Sequence, residues 1–210
     1  TDNDRKIKQE WMAAGYDRSK ARAYDTRWEI NEKGVGIYSR MSVAAAAVQK
    51  VLDIDALWEV SNGGAVSVKM QVKKDMEFPQ LPRFGIRLFL KEEYENLKYY
   101  GLGPQESYRD KFRSCSHGLY ESTVEEQHED YIRPQENGSH TDCDYMMIEK
   151  ENQTFTAVAP GSFSFNVSYY TQEELTRKAH NFELEKSGNT IVCLDYAQNG
   201  IGSNSCGPEL

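Results

Sequence analysis

Short runs of alternating apolar and polar side chains recur along this sequence and restrict it to β-rich folds. Residues 54–60 and 65–73 both show the two-residue period, and Ser61-Asn62-Gly63-Gly64 separates them. Alternation puts the apolar side chains on one face of a strand, and Asn-Gly is a favoured hairpin turn. Residues 83–90 repeat the pattern. The sequence therefore predicts antiparallel sheets, with a hairpin centred on the Asn-Gly pair.

The remaining segments add strands and little helix. Further strand candidates are residues 97–100, 144–149, 153–158, 162–168 and 190–196. A short amphipathic helix is predicted at 5–14, and a second at 171–179, where Thr171 and Glu174 have the spacing of a capping box. Residues 44–47 are ambiguous, because alanine favours helix while the neighbouring sequence favours strand. With no internal repeat or clear boundary, we expect one all-β domain, an antiparallel sandwich with one or two short helices.

Charge and cysteine usage narrow the classes of partner. The 210 residues include 33 acidic and 25 basic side chains, giving a formal net charge of −8. This balance argues against a nucleic-acid or membrane partner, since both require clustered Lys and Arg. The four widely spaced cysteines form no CxxC pair, so free thiols in a cytoplasmic protein fit best. The charged start, without a signal-peptide pattern, is typical of a segment of a longer chain.

Two loops and the C-terminal tail carry unusual combinations of residues. The loops are residues 99–110, which include Glu106, and residues 131–138, which bring Arg133, Glu136 and Asn137 around a proline. Charged groups held by such rigid bends either bind a ligand or form a buried hydrogen-bonded network, and from the residues alone the structural role is favoured. The glycine-rich tail has the wrong spacing for a nucleotide-binding loop. No HExxH, nucleophile elbow or P-loop occurs.

Taken together and in order, these segments resemble the small-chain domain (domain 5) of family 2 β-galactosidases, the large bacterial type. The matching segments are Thr1-Asp2-Asn3-Asp4 with Trp11 and Ala14-Gly15, Leu81-Pro82-Arg83-Phe84-Gly85, residues 100–108 (YGLGPQESY), residues 120–124 (YESTV), residues 133–138 (RPQENG), Phe163-Ser164-Phe165, residues 170–175 (YTQEEL) and residues 200–205 (GIGSNS). They span nearly the whole chain.

The resemblance implies a fold and a role. It implies one domain over residues 1–210, part of a longer chain, forming a large antiparallel β-supersandwich similar to galactose mutarotase. In the family this domain packs near a (β/α)8 barrel, helps to wall the sugar pocket and stabilises the assembly, and in some bacteria it is a separate subunit. The whole enzyme hydrolyses terminal β-galactosides such as lactose, so the implied setting is the bacterial cytoplasm, with the periplasm not excluded.

The chemistry of the family lies outside this chain. Retaining hydrolysis needs a nucleophilic carboxylate and an acid/base carboxylate, and the resemblance places both, with a magnesium ion, in the barrel domain. We therefore expect no catalytic residue, no metal ligand and no cofactor among residues 1–210. The expected partners are the barrel-containing part of the enzyme and a galactoside.

The resemblance also assigns candidate site residues. The predicted wall of the sugar pocket consists of Asp2, Asn3, Asp4, Ser203, Asn204, Ser205 and Cys206. The predicted structural loop network consists of Glu106, Arg133, Glu136 and Asn137, with Arg133 and Glu136 largely buried. Some family members carry a tryptophan at the position of Cys206, and a cysteine cannot stack on a sugar ring as an indole does.

Two other functions stay open. A stand-alone carbohydrate-binding module would present an exposed aromatic platform, which the 13 Tyr and 3 Trp could supply. A mutarotase-like sugar epimerase would bring a histidine acid and a carboxylate base together, with His117 or His140 and Glu136 as the candidates. The structure can separate these alternatives by showing what faces each histidine.

Overall fold

The computed structural model describes residues 4–202, and over that range the chain is mostly β. The strands are β1 (Lys20–Asn31), β2 (Gly34–Ala44), β3 (Leu52–Ser61), β4 (Val66–Lys74), β5 (Arg83–Lys91), β6 (Asn96–Gly103), β7 (Ser116–Thr123), β8 (Ser139–Lys150), β9 (Gln153–Ser168) and β10 (Asn189–Gln198). The two α-helices are α1 (Arg5–Ala13) and α2 (Gln172–Arg177), and 3₁₀ turns occur at Tyr16–Arg18, Glu125–Gln127 and Asn181–Glu183.

The described chain divides into two compact units. The N-terminal unit comprises Lys6–Gln80, and the C-terminal unit comprises residues 81 onwards together with the residues up to Arg5. The N-terminal unit holds an antiparallel sheet of order β1-β2-β3-β4. Its predicted hairpin is confirmed, with Val60 opposite Val66 and the Ser61 amide donating to the Ala65 carbonyl at 2.8 Å.

The sheet of the N-terminal unit has one apolar face and one polar face. The apolar face carries two cross-strand rows, one of Trp28, Ile37, Trp58 and Val68 and one of Ile30, Val35, Val60 and Val66. Much of this face is exposed, with 71% of Trp28, 77% of Ile30 and 56% of Val66 accessible. On the opposite face Tyr38 donates to Asp55 at 2.7 Å. We call the residues of the two rows the apolar sheet face.

The C-terminal unit holds an antiparallel sheet of order β5-β10-β9-β8-β6-β7. Its core consists of side chains that alternate inward from the central strands, including the fully buried Tyr99, Met146, Ile148, Phe165 and Val192. Strand β6 alternates buried and more exposed positions, whereas Thr190–Cys193 of β10 are all buried. The loops that follow β6, β7 and β10 hold the candidate site.

Several sequence predictions are confirmed and others need correction. Helix 171–179 forms over Gln172–Arg177, where the Thr171 hydroxyl accepts the Glu174 amide at 3.1 Å as an N-cap. Strand candidates 153–158 and 162–168 are instead one strand, β9, which continues through Pro160 and Gly161. Strands β1, β2 and β7 were not predicted. Of the ambiguous residues 44–47, only Ala44 is in a strand. No helix within residues 4–202 is long and apolar enough to span a membrane.

Candidate functional site

Glu106 is the centre of the first loop network. Its side chain is almost fully buried at 2% exposure and accepts three hydrogen bonds. Lys111 Nζ donates at 2.5 Å, the Gly138 amide donates at 2.7 Å, and the Tyr131 hydroxyl is the third donor. These donors belong to two different loops, so one carboxylate ties the loop after β6 to the loop before β8. Through these contacts Glu106 holds two loops together, which is what a structural role requires.

The residues that follow Glu106 fix the same loop to β8. The Ser107 amide donates to the Ser139 carbonyl at 2.7 Å, and the Ser107 hydroxyl accepts the Thr141 amide at 2.9 Å. Tyr108 is buried, and its backbone forms a two-way bridge with Lys111, with N–O distances of 2.8 and 3.0 Å. The segment therefore turns tightly and returns within four residues, which leaves little freedom for the chain between Tyr108 and Lys111.

Glu136 belongs to a second network, centred on Arg83. The Arg83 guanidinium contacts Asp195 through two hydrogen bonds, of 3.1 and 2.5 Å, and contacts Glu136 at 3.0 Å. Burial raises the pKa of Glu136, and the nearby Asp195 raises it further while Arg83 opposes the rise. Burial alone would lower the pKa of Arg83, but the two carboxylates outweigh it and hold the guanidinium charged. The network joins the first residue of β5 to β10.

Arg133 does not take the buried position that we predicted for it. The Arg133 side chain is exposed, so the expectation of burial is wrong for this residue. The physical reason is that Arg83, which lies 53 positions before Glu136, supplies the guanidinium that contacts the Glu136 carboxylate. Asn137 is buried, accepts the Glu129 amide at 3.0 Å and donates to the Gln135 carbonyl at 2.8 Å. Asn137 thus closes the loop before β8.

Gly138, the last residue of this loop, needs to be a glycine. Its φ is +69°, a left-handed conformation that side-chain-bearing residues rarely adopt. A Cβ atom at this position would lie 2.1 Å from the Gln127 carbonyl oxygen. The amide of Gly138 is the one that donates to Glu106. The Asn137-Gly138 pair of the motif is therefore required by backbone geometry and by close packing.

His140 serves as a core residue. Its ring is 1% exposed and packs between Tyr99 and Phe165, with centroid distances of 4.4 and 5.3 Å. Nδ1 lies 3.0 Å from the Leu102 carbonyl and Nε2 lies 2.5 Å from Gln127 Oε1. Burial lowers the pKa of His140 to about 4. A ring enclosed in this way has no room for a sugar, which argues against His140 as the acid of an epimerase.

The other epimerase candidates do not converge either. His117 Nε2 lies 3.0 Å from the Asp142 carbonyl and 3.9 Å from Asp144 Oδ2. The carboxylate of Glu136 faces Arg83 instead of a histidine. Within residues 4–202, no group of three or more His, Cys, Asp or Glu side chains could hold a metal ion.

The predicted pocket wall lies largely outside the described residues. Asp2, Asn3 and the run Ser203, Asn204, Ser205 and Cys206 fall outside residues 4–202, so their prediction stays untested. Asp4 is described, directly precedes α1 and is buried. Two contacts hold the residues that lead into the tail. The Asn199 amide donates to the Pro82 carbonyl at 2.8 Å, and the Ile201 amide donates to the Asp110 carboxylate.

The buried thiols of the C-terminal unit are free. Cys143 and Cys193 are both buried, and Cys115 is half-buried. Burial raises the pKa of the Cys143 thiol and that of the Cys193 thiol to about 12. Both thiols therefore stay protonated near neutral pH and act as small apolar core groups.

The predicted loop network omitted several residues that the structure places in the two networks, among them Arg83, Asp195 and Lys111. Arg83 lies in the Leu81–Gly85 motif, which signalled its importance without revealing that its partner Asp195 lies 112 positions away. Lys111 directly follows the loop of residues 99–110. The sequence offered one local signal for these contacts. Glu106 and Lys111 have opposite charges and lie only five positions apart, so they can form an ion pair within one loop.

The described residues form a mostly β fold of two antiparallel sheets, and hydrogen-bonded networks hold the loops of the larger sheet. The family model for the β-galactosidase small chain matches residues 1–210. The chain is 43% identical to a β-galactosidase of Actinobacillus pleuropneumoniae and 39% identical to one of Staphylococcus xylosus, over all of this chain and 20% and 21% of theirs. A Kluyveromyces lactis β-galactosidase is 35% identical over 69% of this chain and 14% of its own length.

The chain belongs to the β-galactosidase small-chain family. It spans about a fifth of the length of the relatives that it matches. It therefore corresponds to a domain of the larger β-galactosidases that it matches.

Proposed function

We propose that this chain is the non-catalytic C-terminal domain of a β-galactosidase that hydrolyses terminal β-galactosides such as lactose. In this role it stabilises the assembly by docking on the rest of the enzyme, and its tail helps to wall the sugar pocket. The catalytic carboxylates and the magnesium ion belong to the barrel-containing part, and the domain's own fold is the mutarotase-like supersandwich of the family.

The observation that carries the docking role is the apolar sheet face. Eight apolar side chains of four adjacent strands form two continuous rows, and the edge residues Trp28, Ile30 and Val66 are more than half exposed. Contiguous exposed apolar patches mark interaction surfaces, because leaving apolar side chains in water costs free energy. The remaining four fifths of the enzyme is the partner that the family membership supplies.

The composition of this face also weighs against the carbohydrate-binding module. Trp28 is exposed and aromatic, as a sugar platform requires. Its neighbours within the two rows, however, are aliphatic or aromatic, and the next pair along the same face, Thr26 and Ser39, form a hydrogen bond with each other at 3.2 Å. A sugar needs hydrogen-bonding groups beside the ring on which it stacks. A face whose nearest hydroxyl groups already bond each other suits a protein partner better.

A mixing experiment tests the proposal. The purified chain, incubated with a chromogenic β-galactoside, should show no hydrolysis, and activity should appear when the barrel-containing part of the enzyme is added. Val66→Lys places a charge on the apolar sheet face and should raise the chain concentration needed for half-maximal activity.

The matched control for this experiment is Ser67→Lys. It adds the same charge to the next residue of the same strand, on the polar face, where Glu59 can pair with it. Ser67→Lys should behave as the unmodified chain does. Hydrolysis by the chain alone that scales with its concentration would refute the non-catalytic role. Equal effects of the two lysines would refute docking through the apolar sheet face.

A further inference from the structure

The loop after β6 holds Phe112 at its apex. On one side of Phe112, backbone hydrogen bonds join Tyr108 and Lys111 in both directions. On the other side, the Cys115 amide donates to the Phe112 carbonyl at 2.9 Å, and the Cys115 thiol lies 3.4 Å from the Gln105 carbonyl, which closes the base of the loop. The ring of Phe112 is still 45% exposed. Hydrogen bonds therefore fix a loop that presents an aromatic side chain to solvent.

The loop before β8 presents Ile132 in the same way. On one side Tyr131 donates its hydroxyl to the buried Glu106, and on the other side Pro134 is buried. Between these two held residues Ile132 is 85% exposed, and Arg133 is exposed as well. An isoleucine in water contributes almost nothing to the core of its own unit, because the favourable free energy comes from removing apolar surface from water.

One buried carboxylate joins the two apexes. Glu106 accepts from Lys111 and from Tyr131, and Lys111 Nζ lies 3.1 Å from the Tyr131 hydroxyl. These two donors directly precede Phe112 and Ile132 in the chain. Burying a carboxylate costs free energy that only its hydrogen bonds offset. Here those hydrogen bonds hold two solvent-facing loops in one arrangement, and a surface that is already ordered loses less entropy when it binds.

The charge of these loops differs from the charge of the chain. Residues 109–113 contain three basic side chains and one acidic side chain, and all five residues are exposed. The whole chain, in contrast, has a formal net charge of −8. Arginine and aromatic side chains are enriched at the centres of protein interfaces. Basic loops with exposed apolar apexes on an acidic chain therefore indicate a docking surface for an acidic partner.

We infer that the paired loops, residues 109–113 and 131–133, form a second docking surface, which inserts Phe112 and Ile132 into an apolar pocket rimmed by carboxylates on the rest of the β-galactosidase. The inference rests on the proposed docking role of the chain. The chain spans about a fifth of the length of its relatives, so the partner surface belongs to the other four fifths. The paired loops lie in the C-terminal unit and the apolar sheet face lies in the N-terminal unit, so each unit has its own docking surface.

Photo-crosslinking in the full-length enzyme tests the paired loops directly. The photoreactive amino acid benzoylphenylalanine replaces Phe112 or Ile132, and mass spectrometry identifies the peptide that it joins on irradiation. We expect peptides rich in Asp or Glu from outside residues 1–210. Phe182, which is 82% exposed in the same unit, is the control position and should join no such peptide. Crosslinks of the paired loops only to residues 1–210, of the same or of a second copy, would overturn the inference.

Ile132→Ala separates docking from folding. In the chain alone it should leave the melting temperature unchanged, because Ile132 is 85% exposed. In the full-length enzyme it should shorten the half-life of activity at an inactivating temperature about fivefold, because an interface residue is lost. Phe182→Ala is the matched control and should change neither quantity. An unchanged half-life for Ile132→Ala, or a lower melting temperature of the chain alone, would contradict the inference.

A third crosslinking position distinguishes failure of this inference from failure of the proposed function. Benzoylphenylalanine in place of Val66 reports on the apolar sheet face. If position 66 joins the rest of the enzyme while positions 112 and 132 do not, the chain docks through the apolar sheet face alone, and only the inference is wrong. If none of the three positions joins the rest of the enzyme, the docking role itself is wrong.

Discussion

Glu106→Gln probes the network that holds the two loops together. The substitution keeps the shape of the side chain, removes its charge and replaces one acceptor oxygen by an NH₂ group. The carboxylate accepts from Lys111, Tyr131 and the Gly138 amide. A glutamine can satisfy at most two of these donors, so at least one donor must face another donor.

The magnitude follows from the burial of the partners. The Gly138 amide is buried, and leaving a buried donor unsatisfied costs about 1–3 kcal/mol. Lys111 is 45% exposed, so water compensates for much of its lost ion pair, and we add about 1 kcal/mol for it. The expected loss in the free energy of unfolding is therefore about 2–4 kcal/mol.

Urea unfolding of the chain, followed by near-UV circular dichroism, measures this loss. The control is Glu121→Gln, which removes an equally short ion pair, with Lys98 at 2.6 Å, from a carboxylate that is 70% exposed. This control should leave the unfolding midpoint close to that of the unmodified chain, because exposed ion pairs contribute little. If Glu106→Gln shifts the midpoint no more than Glu121→Gln does, the network does not stabilise the fold.

Three further predictions address the pH dependence, the loop and the tail. Because burial lowers the pKa of His140 from 6.5 to about 4, the unfolded chain binds a proton that the folded chain does not, so stability should fall by about 3 kcal/mol as the pH drops from 6.5 to 4. Urea unfolding measured between pH 6.5 and 4, with His140→Gln as the reference, checks this loss of stability. If stability instead rises on acidification, the Leu102 and Gln127 oxygens bind a protonated His140 ring. Gly138→Ala should cost about 3 kcal/mol or more, from its left-handed backbone and the Gln127 carbonyl, seen as a lower melting temperature; an unchanged melting temperature would contradict this. Cys206→Trp in the full-length enzyme should change KM for galactosides more than it changes the melting temperature, and unchanged kinetics with an intact fold would count against the tail as a pocket wall.

The elements that sequence reasoning predicted are those with a local signal. The hairpin of β3 and β4 follows from alternation around an Asn-Gly turn, and α2 follows from its Thr171 cap. Strand β1 was missed because the irregularity between Ala23 and Asp25 shifts its alternation, so the period of Ala21 and Ala23 does not continue into that of Trp28 and Ile30. Strand β9 was divided in two because Pro160-Gly161 is typical of a turn.

The sequence predicted several residues of the candidate site, but it did not predict which residues contact each other. Glu106, Glu136 and Asn137 all lie in motifs, and the structure places each in a hydrogen-bonded loop network. Arg133 was predicted to share a buried network with Glu136, whereas the guanidinium that contacts Glu136 belongs to Arg83 of β5. A pairing across 53 or 112 positions depends on sheet order, and a single sequence carries no local signal for that order.

The apolar sheet face has a consequence for how this chain must be produced. A surface that presents Trp28, Ile30 and Val66 to water will associate with any complementary apolar surface, including that of a second copy. The fully exposed strand β1 lies at the edge of the same sheet and offers unpaired backbone groups beside it. If the chain docks as proposed, copies made in excess of the rest of the enzyme should self-associate, so that the ratio of the two parts sets the yield of the assembly.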